Sequence, residues 1–182
     1  MDTALSMAAT TYHKTTHRAH KMTQNLVYKT AEPWNLKSLS TDGVFKGFAS
    51  TPHKDSHNDI VRNGAFRHTL NTWRKTGRWP HLLWQHQMDK PIGEFSDMEE
   101  RSDGLLVTGR LLLSIQKGQE AYELLKRGII KGLSIGFQPT LARYNPAQKA
   151  REIFQVRLVE VSLVTAPANP MAQVHSVKTL FN

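Results

Sequence analysis

The sequence contains no cysteine. That excludes a thiolate nucleophile, a disulfide framework and any metal site built on thiolates. It suits a reducing compartment. Long apolar runs are lacking too. No stretch approaches the about 20 consecutive apolar residues of a membrane span, and the basic N-terminus carries no apolar segment of the signal-peptide kind. Acidic residues are few: 15 Asp and Glu stand against 24 Lys and Arg, for a net charge of +9. Such a balance fits an acidic protein surface or nucleic acid as partner. The basic residues are spread along the chain, with no zinc-finger spacing and no basic helix beside a dimer motif. Apolar residues make up 39% of the 182, enough for one domain with its own core.

Residues 1–31 are rich in Thr, Ala, Lys and His, and their apolar positions keep no period. They read as a flexible basic leader, or an arm that orders on a partner. His13, His17 and His20 share a helix face by spacing; a solvated tail and a metal site are the two readings. The domain proper is expected over 32–175, with a short tail at 176–182. Within it, 44–51 reads as a strand in which Gly47 marks a bulge or a close backbone approach. The polar stretch 52–63 carries His53, Asp55, His57 and Asp59, a loop with the donor types of a metal site.

Phe66, Leu70 and Trp73 stand at helical spacing in 64–76, with Gly77 as the stop. A second helix is expected over 117–127, closed by Gly128. Strands are expected at 82–84, 90–95, 105–113 and 132–137, with one or two more over 151–165 before Pro167 and Pro170. Many strands, few helices and no regular strand–helix alternation argue for a mainly β fold. The expectation is a closed or partly closed barrel of about six or seven mostly antiparallel strands with flanking helices.

Ser134 lies in Gly132-Leu-Ser-Ile-Gly136. Alternation puts Leu133, Ile135 and Phe137 on one face and Ser134 with Gly136 on the other, so small neighbours would let a peptide backbone approach the hydroxyl. The bland reading is a strand serine facing water. The same residues fit the G-x-S-x-G elbow of α/β-hydrolases. That elbow needs a helix directly after the serine, whereas 138–150 is polar and holds Pro139 and Pro146. A serine hydroxyl needs a base, and histidine is the side chain suited to it near neutral pH. Of nine histidines, His86 stands best, at the end of the apolar run Leu82–Trp84, with His81 second. Glu160 sits in Leu158-Val-Glu-Val-Ser-Leu-Val164. A carboxylate in an apolar strand invites a buried partner such as an imidazole. The competing reading is an edge strand that shows Glu160 and Ser162 to water.

Several segments together resemble the prohead maturation proteases of HK97-like tailed phages, a family related to the herpesvirus assembly proteases. They include Gly47-Phe-Ala-Ser50, Asp59-Ile-Val-Arg-Asn-Gly-Ala-Phe66, Leu82-Leu-Trp-Gln-His86, Gly104-Leu-Leu-Val-Thr-Gly-Arg110, Gly132-Leu-Ser-Ile-Gly-Phe137 and Leu158-Val-Glu-Val-Ser-Leu-Val-Thr-Ala-Pro-Ala-Asn-Pro170. The resemblance spans about residues 43–172 in order and spacing. It implies a herpesvirus-protease-like fold and puts the family's histidine on His86, its serine on Ser134 and its third member on Glu160, a place that a second histidine takes in the herpesvirus relatives.

The activity so implied is that of a serine endopeptidase, working without a cofactor inside an immature capsid assembled in the host cytoplasm. Its substrates would be the major capsid protein with its scaffolding region, and the protease itself. Dimer activation in the herpesvirus relatives raises a homodimer; no membrane role is implied. A Ser134–His86 distance of about 2.6–3.2 Å is expected, looser without substrate. Backbone N–H groups of the 165–170 turn are the first candidates for oxyanion donors, with Arg157 a lesser one. Two other classes remain open: a catalytically inactive capsid-associated protein of the same fold, and a basic nucleic-acid binder.

Overall fold

The computed structural model describes residues 42–176. The leader 1–31, with His13, His17 and His20, and residues 177–182 lie outside the described residues. Ten elements follow in order: β1 (Val44–Ser50), β2 (Asp59–Val61), α1 (Arg67–Thr76), β3 (His81–Trp84), β4 (Gln87–Arg101), β5 (Gly104–Leu111), α2 (Gln116–Lys126), β6 (Gly132–Asn145), β7 (Ala150–Val164) and β8 (Val174–Ser176).

The strands form one mixed sheet in the order β2-β7-β3-β4-β5-β1-β8, with β6 paired to β7. The barrel expectation is corrected here: the sheet does not close. Closure needs a continuous ladder around the ring. Between β6 and the short β8 there is only an isolated bridge, Gly132 to Gln173. The reason lies in β7. β6 follows it antiparallel from Gly132↔Val164 to Asn145↔Ala150, so β6 occupies one of its edges throughout. The other edge takes two short parallel partners, β2 against Arg151–Ile153 and β3 against Glu160–Leu163. β6 therefore spends one edge on β7 along its length, and its other edge meets the segment leading into β8 only near Gly132. These two parallel pairings make the sheet mixed, although its other pairings are antiparallel as expected.

Elements with a strong period match their sequence patterns closely. Leu70 is buried on α1, and Gly77, in the left-handed region at φ 66°, ends that helix. Ala121 and Leu125 are the buried face of α2, which begins and ends one residue before its expected bounds. Gly47 is where β8 crosses: a Cβ there would lie 2.4 Å from the Gln173 carbonyl oxygen. Some bounds run differently: β4 extends over Gln87–Arg101 where a strand at 90–95 is expected. The polar segment after Phe137 continues as strand to Asn145, because β7 pairs with it as far as Asn145↔Ala150, with register shifts around Pro139–Ala142. The stretch 151–165, expected as one or two strands, is one long strand.

The core gathers Phe45, Leu82, Leu105, Leu133, Val161 and Leu163, each essentially inaccessible to solvent. Burial of a side chain of this size stabilises by about 1.5–3 kcal/mol. Val161 and Leu163 alternate with Glu160 and Ser162 at the end of β7, so over 160–163 the strand has one apolar face and one polar face, and both are buried. Two ion pairs clip β2 onto β7. Arg151 holds Asp59 through two bonds of 2.8 and 2.5 Å, and Arg62 holds Glu152. Asp59 closes the 52–58 loop, and its carboxylate is almost fully buried. Arg151→Ala leaves that carboxylate without its cation and is expected to destabilise by about 1–3 kcal/mol. Urea unfolding at neutral pH measures it.

Candidate active site

The three residues singled out above stand on three different strands or strand ends. Ser134 is on β6 and Glu160 and Ser162 are on β7. The ladder sets Ser134 directly opposite Ser162 and Gly136 directly opposite Glu160. Directly opposed residues share one face of an antiparallel pair, so this face carries two hydroxyls, one carboxylate and one glycine. It is shielded from water: Ser134 is 8% exposed, Glu160 4% and Ser162 0%. The edge-strand reading of Glu160 and Ser162 is thereby corrected.

His86 reaches this face from a tight corner. Trp84 pairs with Gln87, leaving Gln85 and His86 as a two-residue hairpin loop between β3 and β4. Their φ values are 51° and 61°, both left-handed, as a type I′ turn requires. Asn-Gly or Asp-Gly would sit there without strain, whereas Gln-His costs about 1–2 kcal/mol per residue. Strain of this kind persists only where surrounding structure over-determines it. Gln85 is tied by its backbone N–H to the Leu163 carbonyl at 3.1 Å and by its side chain to the Thr165 hydroxyl at 2.7 Å. The His86 backbone N–H donates to Ser162 Oγ at 3.1 Å.

Thus anchored, the imidazole places Nδ1 2.7 Å from Glu160 Oε1. An ionised carboxylate only accepts, so Nδ1 carries the hydrogen and the neutral ring keeps its lone pair on Nε2. The other carboxylate oxygen, Oε2, accepts from the Ser162 hydroxyl at 2.5 Å. Glu160 is thus held at both oxygens. This arrangement raises the His86 pKa above its ordinary value: the hydrogen bond to Glu160 is the main cause, burial opposes it, and the negative charge of Glu160 adds to it.

Ser134 and His86 line the same cavity of about 510 Å³. Among the described residues no hydrogen bond joins Ser134 Oγ to the imidazole, so the short contact expected from the sequence is not formed. Catalytic hydrogen bonds of this kind tighten when substrate binds. The loop around His53 and the turn Ala166–Asn169 also line the cavity. Asn169 knits the two together, accepting from Thr51 Oγ1 at 3.0 Å and donating to the Thr51 carbonyl at 2.9 Å. The loop's carboxylates are already engaged, Asp59 by Arg151 and Asp55 by the backbone N–H groups of His57 and Asp59. Among the described residues no group of three or more His, Asp or Glu could hold a metal ion.

The remaining candidates fall elsewhere. His81 is exposed on β3 and lines a different cavity, together with Arg157, whose guanidinium is bonded to the Gln138 side chain. Neither approaches the serine's cavity. The 165–170 turn does border it. Sequence reasoning missed Ser162 as anything but a surface residue. Its parity with Glu160 was the available signal, since whatever buries one buries the other. It also treated Gly136 only as a small neighbour of the serine. A Cβ on Gly136 would lie 2.2 Å from Glu160 Oε1 and 2.9 Å from Cδ. The glycine is the gap through which the carboxylate passes to His86.

The family of caudovirus prohead serine proteases matches residues 30–182. The chain belongs to that family. It is 31% identical over 166 residues to the capsid polyprotein of Pseudomonas phage PAJU2, covering 87% of this chain and 23% of that protein. It is 30% identical over 148 residues to the prohead protease of Escherichia phage T5, covering 80% of this chain and 69% of the relative. The chain thus spans under a quarter of the first relative's length and about two thirds of the second's. Among solved structures it resembles the bacteriophage T4 capsid assembly protease, with a TM-score of 0.57 over 68% of this chain and 82% of that one. Identity there is 9%, so this likeness speaks for the fold alone. Among the described residues of this prohead-protease family member, no helix is long and apolar enough to cross a membrane.

Proposed function

We propose that the chain is a serine endopeptidase of prohead maturation, with Ser134 as nucleophile, His86 as base and Glu160 as the group that orients the base. One observation carries the reading most: in a prohead serine protease family member, a buried carboxylate grips the imidazole that shares a cavity with the candidate serine. Glu160 fixes the tautomer, so Nε2 faces the cavity as a proton acceptor. As Ser134 Oγ attacks a peptide carbonyl, its proton passes to Nε2, and Glu160 offsets the imidazolium that forms. The imidazolium then protonates the leaving amine as the C–N bond breaks. Water, deprotonated by the same ring, hydrolyses the acyl-enzyme ester and restores the serine. The 165–170 turn borders the cavity, which supports it over Arg157 as the source of N–H groups for the oxyanion.

The substrates that fit this reading are the capsid protein with its scaffolding region, and the protease itself. The setting is the interior of the immature capsid, in the host cytoplasm. The capsid-polyprotein relative supports it, because there a segment similar to this chain is part of the same polypeptide as capsid sequence. The test is covalent labelling by a fluorophosphonate. Stoichiometric modification at Ser134 that disappears in His86→Ala supports the reading, and modification at another residue, or none, contradicts it. The inactive capsid-associated protein predicts the latter outcome.

The raised His86 pKa fixes the sign of the pH dependence. The base works neutral, so kcat/KM rises with pH through the raised value, and the acidic limb lies above the ordinary histidine value of about 6.5. Stability runs the other way. The fold binds the imidazole proton more tightly than the unfolded chain, so this contribution is full below about pH 6.5 and is lost as pH rises through the folded-state value. Glu160→Gln removes the charge and weakens the hydrogen bond that raise the pKa, and leaves burial, which lowers it. The acidic limb of its pH–rate profile is expected at lower pH than in the wild type, beneath a reduced plateau.

A further inference from the structure

We infer that Ser162 is a positioning residue for the proposed triad, a fourth member that sets both Glu160 and the His86 corner through one hydroxyl. The inference rests on the reading of Ser134, His86 and Glu160 given above. Ser162 Oγ donates to Glu160 Oε2 at 2.5 Å and accepts from the His86 backbone N–H at 3.1 Å. It has no contact with solvent, so water cannot stand in for either partner. Each bond answers a specific need. A carboxylate buried this deeply needs a donor on each oxygen to satisfy it and hold one orientation. The imidazole supplies one donor, and without the hydroxyl the other oxygen is orphaned. The His86 N–H, turned inward by the left-handed corner, also needs an acceptor.

The geometry makes the hydroxyl a hinge pin. Glu160 and Ser162 are two residues apart on one face of β7, and His86 arrives from the β3–β4 corner. The single oxygen therefore fixes the carboxylate relative to the backbone that carries the imidazole. Free rotation of the carboxylate would break the Nδ1 bond, and a shift of the corner would move Nε2 within the cavity that Ser134 lines. Ser162 also lies directly across the ladder from Ser134, which places the pin beside the nucleophile without taking part in the proton transfer.

Two readouts on the 182-residue chain test this, neither needing the natural cleavage site. The first is the rate of fluorophosphonate reaction at Ser134. Loss of a hydrogen bond to a charged group corresponds to about 10- to 100-fold, and that decrease is expected for Ser162→Ala. The second is the downfield proton resonance of the His86 Nδ1–H held by a carboxylate, which requires no catalysis. It is expected to be present in wild type and broadened or shifted upfield in Ser162→Ala. Ser162→Thr, which keeps the hydroxyl, is expected to restore it. Should the alanine variant not fold, Ser162→Cys, close in volume but a weak donor, is read in the same way. An unchanged resonance in the folded variant overturns the inference, whatever the labelling rate. If Ser134 is not labelled even in wild type, the triad reading fails by itself, while the resonance still reports on Ser162.

Discussion

His86→Ala is expected to lower kcat by about five to six orders of magnitude, the scale on which removing the base of a serine triad silences the whole unit. The same loss is expected for Ser134→Ala, and the two together should cost little more than either one, because they act as a unit. A second signature separates this site from an ordinary loop histidine. The corner holds His86 at φ 61°, where alanine is strained and glycine is not. His86→Gly should therefore be more stable than His86→Ala by about 1 kcal/mol, the reverse of the usual order, while remaining as inactive. Thermal or urea unfolding of the two variants measures the difference. Equal stabilities would mean that the corner relaxes and that no strain is held there.

Gly136→Ala is expected to abolish most activity with the fold intact. A methyl group at this position would sit 2.2 Å from Glu160 Oε1, well inside contact distance. The nearest atoms belong to a side chain rather than to backbone, so the carboxylate can move aside. It cannot do so and still bridge His86 and Ser162. The expected loss in kcat is about 10³- to 10⁴-fold, close to that of removing the orienting carboxylate itself. Circular dichroism and the urea midpoint should stay near wild type. Near-normal processing by Gly136→Ala would contradict the placement of Glu160 argued here.

This glycine also shows what the sequence could and could not disclose. Gly132-Leu-Ser-Ile-Gly136 fits a hydrolase elbow by pattern, and the absence of a helix-forming segment after it was sound ground for rejecting that fold. The second glycine is explained only by a residue of β7 lying across the ladder, and register is not written in either strand alone. His86 was legible as the polar end of an apolar run, and Glu160 as a carboxylate out of place in one. Ser162 was not, because a serine is tolerated on either face of a strand; only its burial in the fold gives it meaning. The helices were legible because their periods are strong. Sheet closure was not, since alternation reports which face of a strand is buried and never which edges meet. The segment after Phe137 shows the same limit: it is polar and holds Pro139, and the expected strand stops at 137, yet β7 pairs with it as far as Asn145.

The central claim is that Ser134 is the nucleophile of a protease acting on the capsid protein. The most direct measurement is the intact mass of the capsid protein after co-expression with the wild-type chain and, separately, with Ser134→Ala. The account predicts a shortened capsid protein with the wild type and a full-length one with the variant. Shortening to the same product by a folded Ser134→Ala chain would contradict it.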